Sequence, residues 1–157
     1  MARISGNVGT SRGFLQSVNR WTKATKERSE EAFKIGVLDF AIALNEAAPI
    51  KTGALRSSLT AGINGNIPQG PAGEYGSVYN DQRLLSVIDQ LKLGDKLTLV
   101  YLAKHARRVN YGFSGFDSLG RGPFNQSGYF WIEKTGAKYR SIMRNAASRI
   151  AMSAAGV

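Results

Sequence analysis

Few residues in this chain are equipped for chemistry, and their spacing defines no catalytic set. His105 is the single imidazole, and it lies in the run Lys-His-Ala-Arg-Arg, where neighbouring cations oppose its protonation. That setting predicts a helix residue near a domain or subunit surface rather than a general base. Asp81, Asp89, Asp95 and Asp117 show no spacing that would set two acids across one bond. The chain has no cysteine, which excludes a disulfide, a thiolate nucleophile and a cysteine–metal site. A lone histidine excludes a multi-histidine metal centre as well. The sequence holds no G-x-x-x-x-G-K-[ST] phosphate loop, no G-x-G-x-x-G turn and no G-x-S-x-G elbow. The GxxG fragments at Gly62–Gly65 and Gly112–Gly115 read as turn glycines. The residues therefore predict a protein that is not an enzyme and needs no cofactor.

Charge is the stronger signal. Twenty-one basic and eleven acidic residues give a net +10. Residues 101–157 hold nine of the basic and two of the acidic ones. A field of that sign favours polyanions or acidic protein surfaces, whatever the fold. In the last helical segment Lys134, Lys138 and Arg149 flank one side of an apolar face, and Arg140 and Arg144 flank the other. These five are candidate contacts to an acidic partner or to DNA. Aromatic residues from Phe113 to Trp131 precede them, but no RNP1 pattern, zinc finger or helix-turn-helix accompanies them.

The elements that must position these residues fit one domain of 157 residues, with 43% apolar and 20% charged residues. No signal-peptide core and no run of ~18 apolar residues is present, so the expectation is a soluble protein of a reducing or neutral compartment, without a membrane partner. Residues 1–17 lack periodicity and read as a flexible arm ahead of a single domain at 18–157. From Val18 to Ala48 the spacing is helical. Phe33, Val37, Phe40, Leu44 and Ala47 form one apolar strip, and Ile35, Leu38 and Ile42 form a second, which makes those three a candidate subunit interface. Thirty residues rise roughly 45 Å, as long as the roughly 39 Å diameter of a compact domain of this size.

Pro49 then ends the helix. Alternation from Leu55 to Ile63 predicts a half-buried strand with Leu55 and Leu59 on one face. A glycine- and proline-rich loop follows from Gly62 to Ser77 and is expected to order only on assembly. Asp81 can cap a short helix through Leu91. Leu97–Ala103 predicts a second, more buried strand, and a helix from Lys104 is stopped by Gly112. Residues 112–128 read as a second loop, and Tyr129 to about Ala154 as the last helix. Together these give an α+β fold: a long N-terminal helix, a small, mainly antiparallel sheet and a C-terminal helix.

Two segments carry a family resemblance. APIKTGALRSSL (Ala47 to Leu59) resembles the P-[VI]-x-T-G-x-L-x-x-S segment of the neck, or tail-completion, proteins of tailed double-stranded DNA bacteriophages. GDKLTLVYLAKHARRVNYGFS (Gly94 to Ser114) is similar to that family's strand followed by Y-A-x-x-[LV]-E-Y-G, with His105 and Asn110 at its tyrosine and acidic positions. Ala106, Val109, Tyr111 and Gly112 match in the second segment, and the candidate fold-setting residues across the two are Pro49, Thr52, Gly53, Leu55, Leu59, Tyr111 and Gly112, which supply a helix stop, a turn, a sheet face and a second helix stop. The resemblance implies a virion structural protein, forming a ring of six or twelve copies at the head–tail junction. Its implied partners are further copies of itself, the head-side connector or head-completion protein, a tail terminator or tail tube protein, and the DNA that passes through the lumen. The residues alone leave one alternative, a basic nucleic-acid-binding protein without enzymatic activity.

Overall fold

The computed structural model describes residues 8–51, 53–67 and 81–155. Its class is α+β, with a long N-terminal helix, two small antiparallel sheets and a C-terminal helix. Helix α1 runs from Val8 to Ala47, so residues 8–17 of the expected arm are helical and residues 1–7 lie outside the described region. Forty residues rise about 60 Å, half as long again as the expected domain. Only the C-terminal half is packed. There Val37, Ala41 and Leu44, with Ala48 just beyond, turn one face inward at helical spacing.

The remaining elements assemble on that face. A one-turn helix α2 (Ala54–Ser57) leads into β1 (Leu59–Ile63), which pairs antiparallel with β2 (Leu97–Tyr101) in the register Leu59↔Tyr101 to Ile63↔Leu97. The expected strand therefore starts four residues late. Leu55 sits on α2 instead of the sheet, although it is buried in the same cluster as Leu59. The expected order of burial is also reversed. Leu59 through Gly62 are buried on both faces of β1, whereas β2 is half-buried throughout, because β1 lies against α3 (Gln82–Asp89) while β2 is the outer strand. Asp81 stands at the N-cap position of α3 without a side-chain cap bond.

The core has two lobes. Val37, Ala41, Ala61, Leu84, Ile88 and Leu91 form the first. Leu44, Ala48, Leu55, Leu59, Ala103 and Trp131 form the second, in which Trp131 packs edge-on against Tyr101 at 5.7 Å. Each large side chain so buried contributes about 1.5–3 kcal/mol relative to water.

Residues 104–128 depart most from expectation. Helix α4 is confined to Ala106–Tyr111, and the supposed loop is a hairpin of β3 (Gly112–Gly115) and β4 (Phe124–Ser127). Its turn is organised by Asp117, whose carboxylate accepts bonds from the backbone of Leu119 and Arg121 and from the Arg121 guanidinium. These donors, the Arg121 backbone first, hold the Asp117 carboxyl below its usual range. The final helical segment begins at Trp131 and is broken into α5 (Trp131–Gly136) and α6 (Tyr139–Ala155). Phe40 meets Tyr139, and Gly36 faces Met143 and Ala146, so α6 runs back along α1 in the opposite direction.

Gly53 (φ 79°) and Gly112 (φ 87°) both lie in the left-handed region. At Gly112 an added Cβ would also stand 2.5 Å from the carbonyl oxygen of Gln126. Gly120 has φ 72° but open space around it. Gly120→Ala is therefore expected to cost about 1 kcal/mol, the left-handed penalty alone. Gly112→Ala and Gly53→Val should cost several times more, read as lower midpoints in urea or as insolubility. Equal midpoints for the three variants would refute this account.

Candidate interaction surfaces

The two sequence segments singled out above meet at the C-terminal end of α1. A cleft of about 580 Å³ is lined by Pro49, Ile50, Lys51, Gly53 and Leu55 from the first, His105 and Val109 from the second, and Gln126 and Tyr129 from the chain that returns from the hairpin. Thr52 lies outside the described residues. The cleft exists because the end of α1 is fastened. The Arg56 guanidinium donates to the carbonyls of Glu46 (2.6 Å) and Ala48 (2.9 and 3.0 Å), and the Tyr101 hydroxyl donates to that of Leu44 (3.1 Å). The last carbonyls of a helix have no partner within it, and α1 carries no basic residue in its own last turn. Arg56 supplies the donors from ten residues downstream. Periodicity could not reveal this; the signal was one cation inside an otherwise apolar and hydroxyl-bearing segment.

Asn110 is fully buried, and both of its side-chain atoms and its carbonyl are bonded. Its Nδ2 donates to both carboxylate oxygens of Glu133 (2.9 and 3.1 Å), its Oδ1 accepts from the backbone of Ile132 (3.3 Å), and its carbonyl accepts from Phe130 (2.9 Å). Phe130 occupies the N-cap position of α5 in a left-handed conformation and has no side-chain oxygen to offer. The amide of Asn110 takes that role across space. Glu133 is held below its usual pKa, first by the bond from Asn110. Its carboxylate in turn raises the pKa of the neighbouring Tyr111 hydroxyl. Tyr111 is otherwise exposed and stacks edge-on with Phe130 at 6.2 Å. Sequence reading singled out Tyr111 and Asn110 but missed Glu133, which lies 23 positions from Asn110 and belongs to no recognisable motif.

The expected interface strip on α1 is divided. Leu38 is half-buried and packs against the first core lobe, while Ile35 is half-buried and Ile42 is 41% exposed. Of the five basic residues, Arg149 is committed to an ion pair with Asp39 of α1. Lys134 donates to the carbonyl of Tyr129 at 2.8 Å. Lys138, Arg140 and Arg144 are exposed and have no ion-pair partner among the described residues. The break in the helical segment also divides them: Lys134 lies on α5, Lys138 between the helices, and Arg140, Arg144 and Arg149 on α6. A further cation, Arg108, lies 4.4 Å over the ring of Phe113 beside the hairpin, a contact worth about 0.5–1 kcal/mol when exposed.

His105 is exposed on the cleft rim. Among the described residues no group of three or more histidines or carboxylates is placed to hold a metal, and no helix is long and apolar enough to cross a membrane. No protein-family model matches the chain, and no curated protein or solved structure was found to match it.

Two expectations follow. Asn110→Asp deletes the donor and sets a second carboxylate against Glu133, so it should cost about 3 kcal/mol at neutral pH. Repulsion raises the folded-state pKa of such a pair, and that variant therefore regains stability as pH falls. In the parent chain the lowered Glu133 pKa acts oppositely: its contribution is present above the usual carboxylate range and is lost on acidification through the lowered value. Melting curves of the two proteins should converge towards pH 3–4, where model carboxylates titrate; a constant gap would refute the pairing. On α1, Leu38→Lys should unfold the chain, whereas Ile42→Lys should leave melting within about 0.5 kcal/mol of the parent.

Proposed function

We propose that this chain is a structural subunit that forms a ring at the head–tail junction of a tailed bacteriophage, joining the head-side connector to the tail and letting the genome pass. The observation that carries this reading is the meeting of the two family-like segments. They lie some forty residues apart in sequence, yet they line one cleft at the end of α1, with positive-φ glycines at both motif turns. Residues that set a fold in this way suit a protein whose work is assembly. Copies of the chain are its first partners. The ring's two faces meet a head-completion or connector ring on one side and a tail terminator or tail tube on the other, and DNA occupies the lumen.

The basic residues fit this reading best when they face a neighbouring acidic ring. A lumen lined by unpaired cations would hold phosphates, and each neutralised phosphate strengthens attachment. Of the five, Lys138, Arg140 and Arg144 have no ion-pair partner among the described residues, and three exposed cations are what favour the second reading, a basic nucleic-acid-binding protein. Light scattering with and without duplex DNA over a salt series separates the two. An assembly that persists to high salt and is indifferent to DNA supports the ring, whereas monomers that bind DNA with a steep loss on adding salt support the second reading. In infected cells, charge reversal at Lys138 and Arg144 should leave filled heads and complete tails unjoined. Normal joining with altered DNA ejection would instead put these cations in the channel.

A further inference from the structure

The N-terminal half of α1 stands clear of the body, yet it is amphipathic. Phe14, Val18 and Trp21 follow at spacings of four and three, with Leu15 at the edge of the same face. Phe14 is 68%, Leu15 57% and Trp21 70% exposed. The hydroxyls of Thr22 and Thr25 donate to the carbonyls of Val18 and Trp21, each at 2.9 Å, so these residues turn methyl groups outward and lengthen the stripe. Arg12, Gln16, Arg20, Lys23 and Glu27 occupy the opposite face. The two rings alone leave roughly 270 Å² of aromatic surface in water, and adding Leu15 and Val18 reaches the size at which a patch on a monomer marks an interaction site.

The other half of the molecule offers a matching receptacle. An open groove of about 650 Å³ runs between α1, β2 and the α5–α6 junction, walled by Phe33, Phe40, Leu97, Leu99, Ile132 and Tyr139. The stripe cannot enter the groove of its own chain. Trp21 and Phe33 lie on one uninterrupted helix, twelve residues or about 18 Å apart along a rod. Stripe-to-stripe pairing of two copies is opposed by charge, because residues 12–28 carry five basic residues against Glu27 alone. The groove presents no such field: its charged lining is Asp95 and Lys96, one of each sign.

We propose that the amphipathic segment around Phe14, Val18 and Trp21 docks into the α1–β2–α5/α6 groove of a second copy of this chain. The contact is heterologous, one surface of each copy against a different surface of the next, so repetition closes a ring or continues as a filament. It is a helix-in-groove contact, anchored at i, i+4 and i+7. This deepens the ring reading given above, and rests on it for the number of copies only.

The absence of native cysteine makes the test direct. Full-length Thr25→Cys and Ile132→Cys proteins, mixed and treated with a short bismaleimide, should give a cross-linked dimer at least tenfold above either protein alone. Phe14→Glu combined with Trp21→Glu should abolish that product and reduce the mass by light scattering to one chain, with the helical circular dichroism and the melting of the body unchanged. Cross-linking of Thr25→Cys to itself would overturn the proposal in favour of stripe-to-stripe pairing. No cross-link, together with retention of the parent chain on anionic vesicles, would overturn it in favour of a lipid surface. No cross-link between the two cysteine variants, while the parent chain still forms rings, would overturn the docking alone. Absence of any assembly would overturn both the docking and the ring.

Discussion

A helix that ends inside a protein brings unpaired carbonyls with it, and the way this chain satisfies them organises the body. The carbonyls of Leu44, Glu46 and Ala48 receive the Tyr101 hydroxyl and the Arg56 guanidinium, which ties α1 to β2 and to α2 at once. For Arg56 to reach back, the chain must reverse within a few residues after Pro49, and Gly53 in its left-handed conformation permits that reversal. The strand β1 is then delivered beneath α1, the second core lobe closes around Trp131, and the cleft forms as the outer side of the same turn. Charged donors to backbone carbonyls are worth about 1.5–3 kcal/mol each, comparable to burying one large apolar side chain.

The opposite side of the cleft repeats this logic with neutral groups. The carbonyls of Val109 and Asn110 at the end of α4 receive the backbone N–H groups of Tyr129 and Phe130, so the chain leaving the hairpin caps the helix that entered it. Gly112 and Gly128 allow the approach, since a Cβ on either would stand 2.5 Å from a backbone oxygen of the other segment. Asn110 then links this junction to α5 through both of its side-chain atoms. An acid in its place could not donate to Glu133, so an amide here and a carboxylate on α5 form one compatible pair.

Sequence reading recovered what depends on local periodicity and backbone restriction. The α+β class, the helix ends at Pro49 and Gly112, the short α3 and most of the buried face of α1 follow from those two, although Ala47 of the expected strip is exposed and Ala41 is buried instead. It failed where distant contacts overrule local pattern. Leu55 alternates perfectly with Leu59, yet Gly53 and the pull of Arg56 wind the intervening residues into a helical turn. The segment 112–128 contains enough glycine to suggest a loop, but Asp117 supplies enough acceptor bonds to fold it into a hairpin. Among the site residues, Gly53, Gly112 and Tyr111 were legible because the motifs carry them. Glu133 and Arg56 were not, because their partners are defined only by the fold. The stripe at Phe14, Val18 and Trp21 was legible in principle; small polar residues on either side of it obscured a plain four–three spacing.

A rod of about 60 Å held at one end behaves as a lever, and its mechanics differ from those of the compact body. A rotation of about five degrees at the clamp sweeps the far end through about 2.6 Å over a free arm of roughly 30 Å, with no bond in the body broken. Angular play that the core would scarcely register is therefore converted into usable reach at the tip. In the assembly proposed above, that reach would absorb small errors in the angle between neighbours. The stiffness of one helix and the position of its anchor would then set how much geometric mismatch the assembly tolerates.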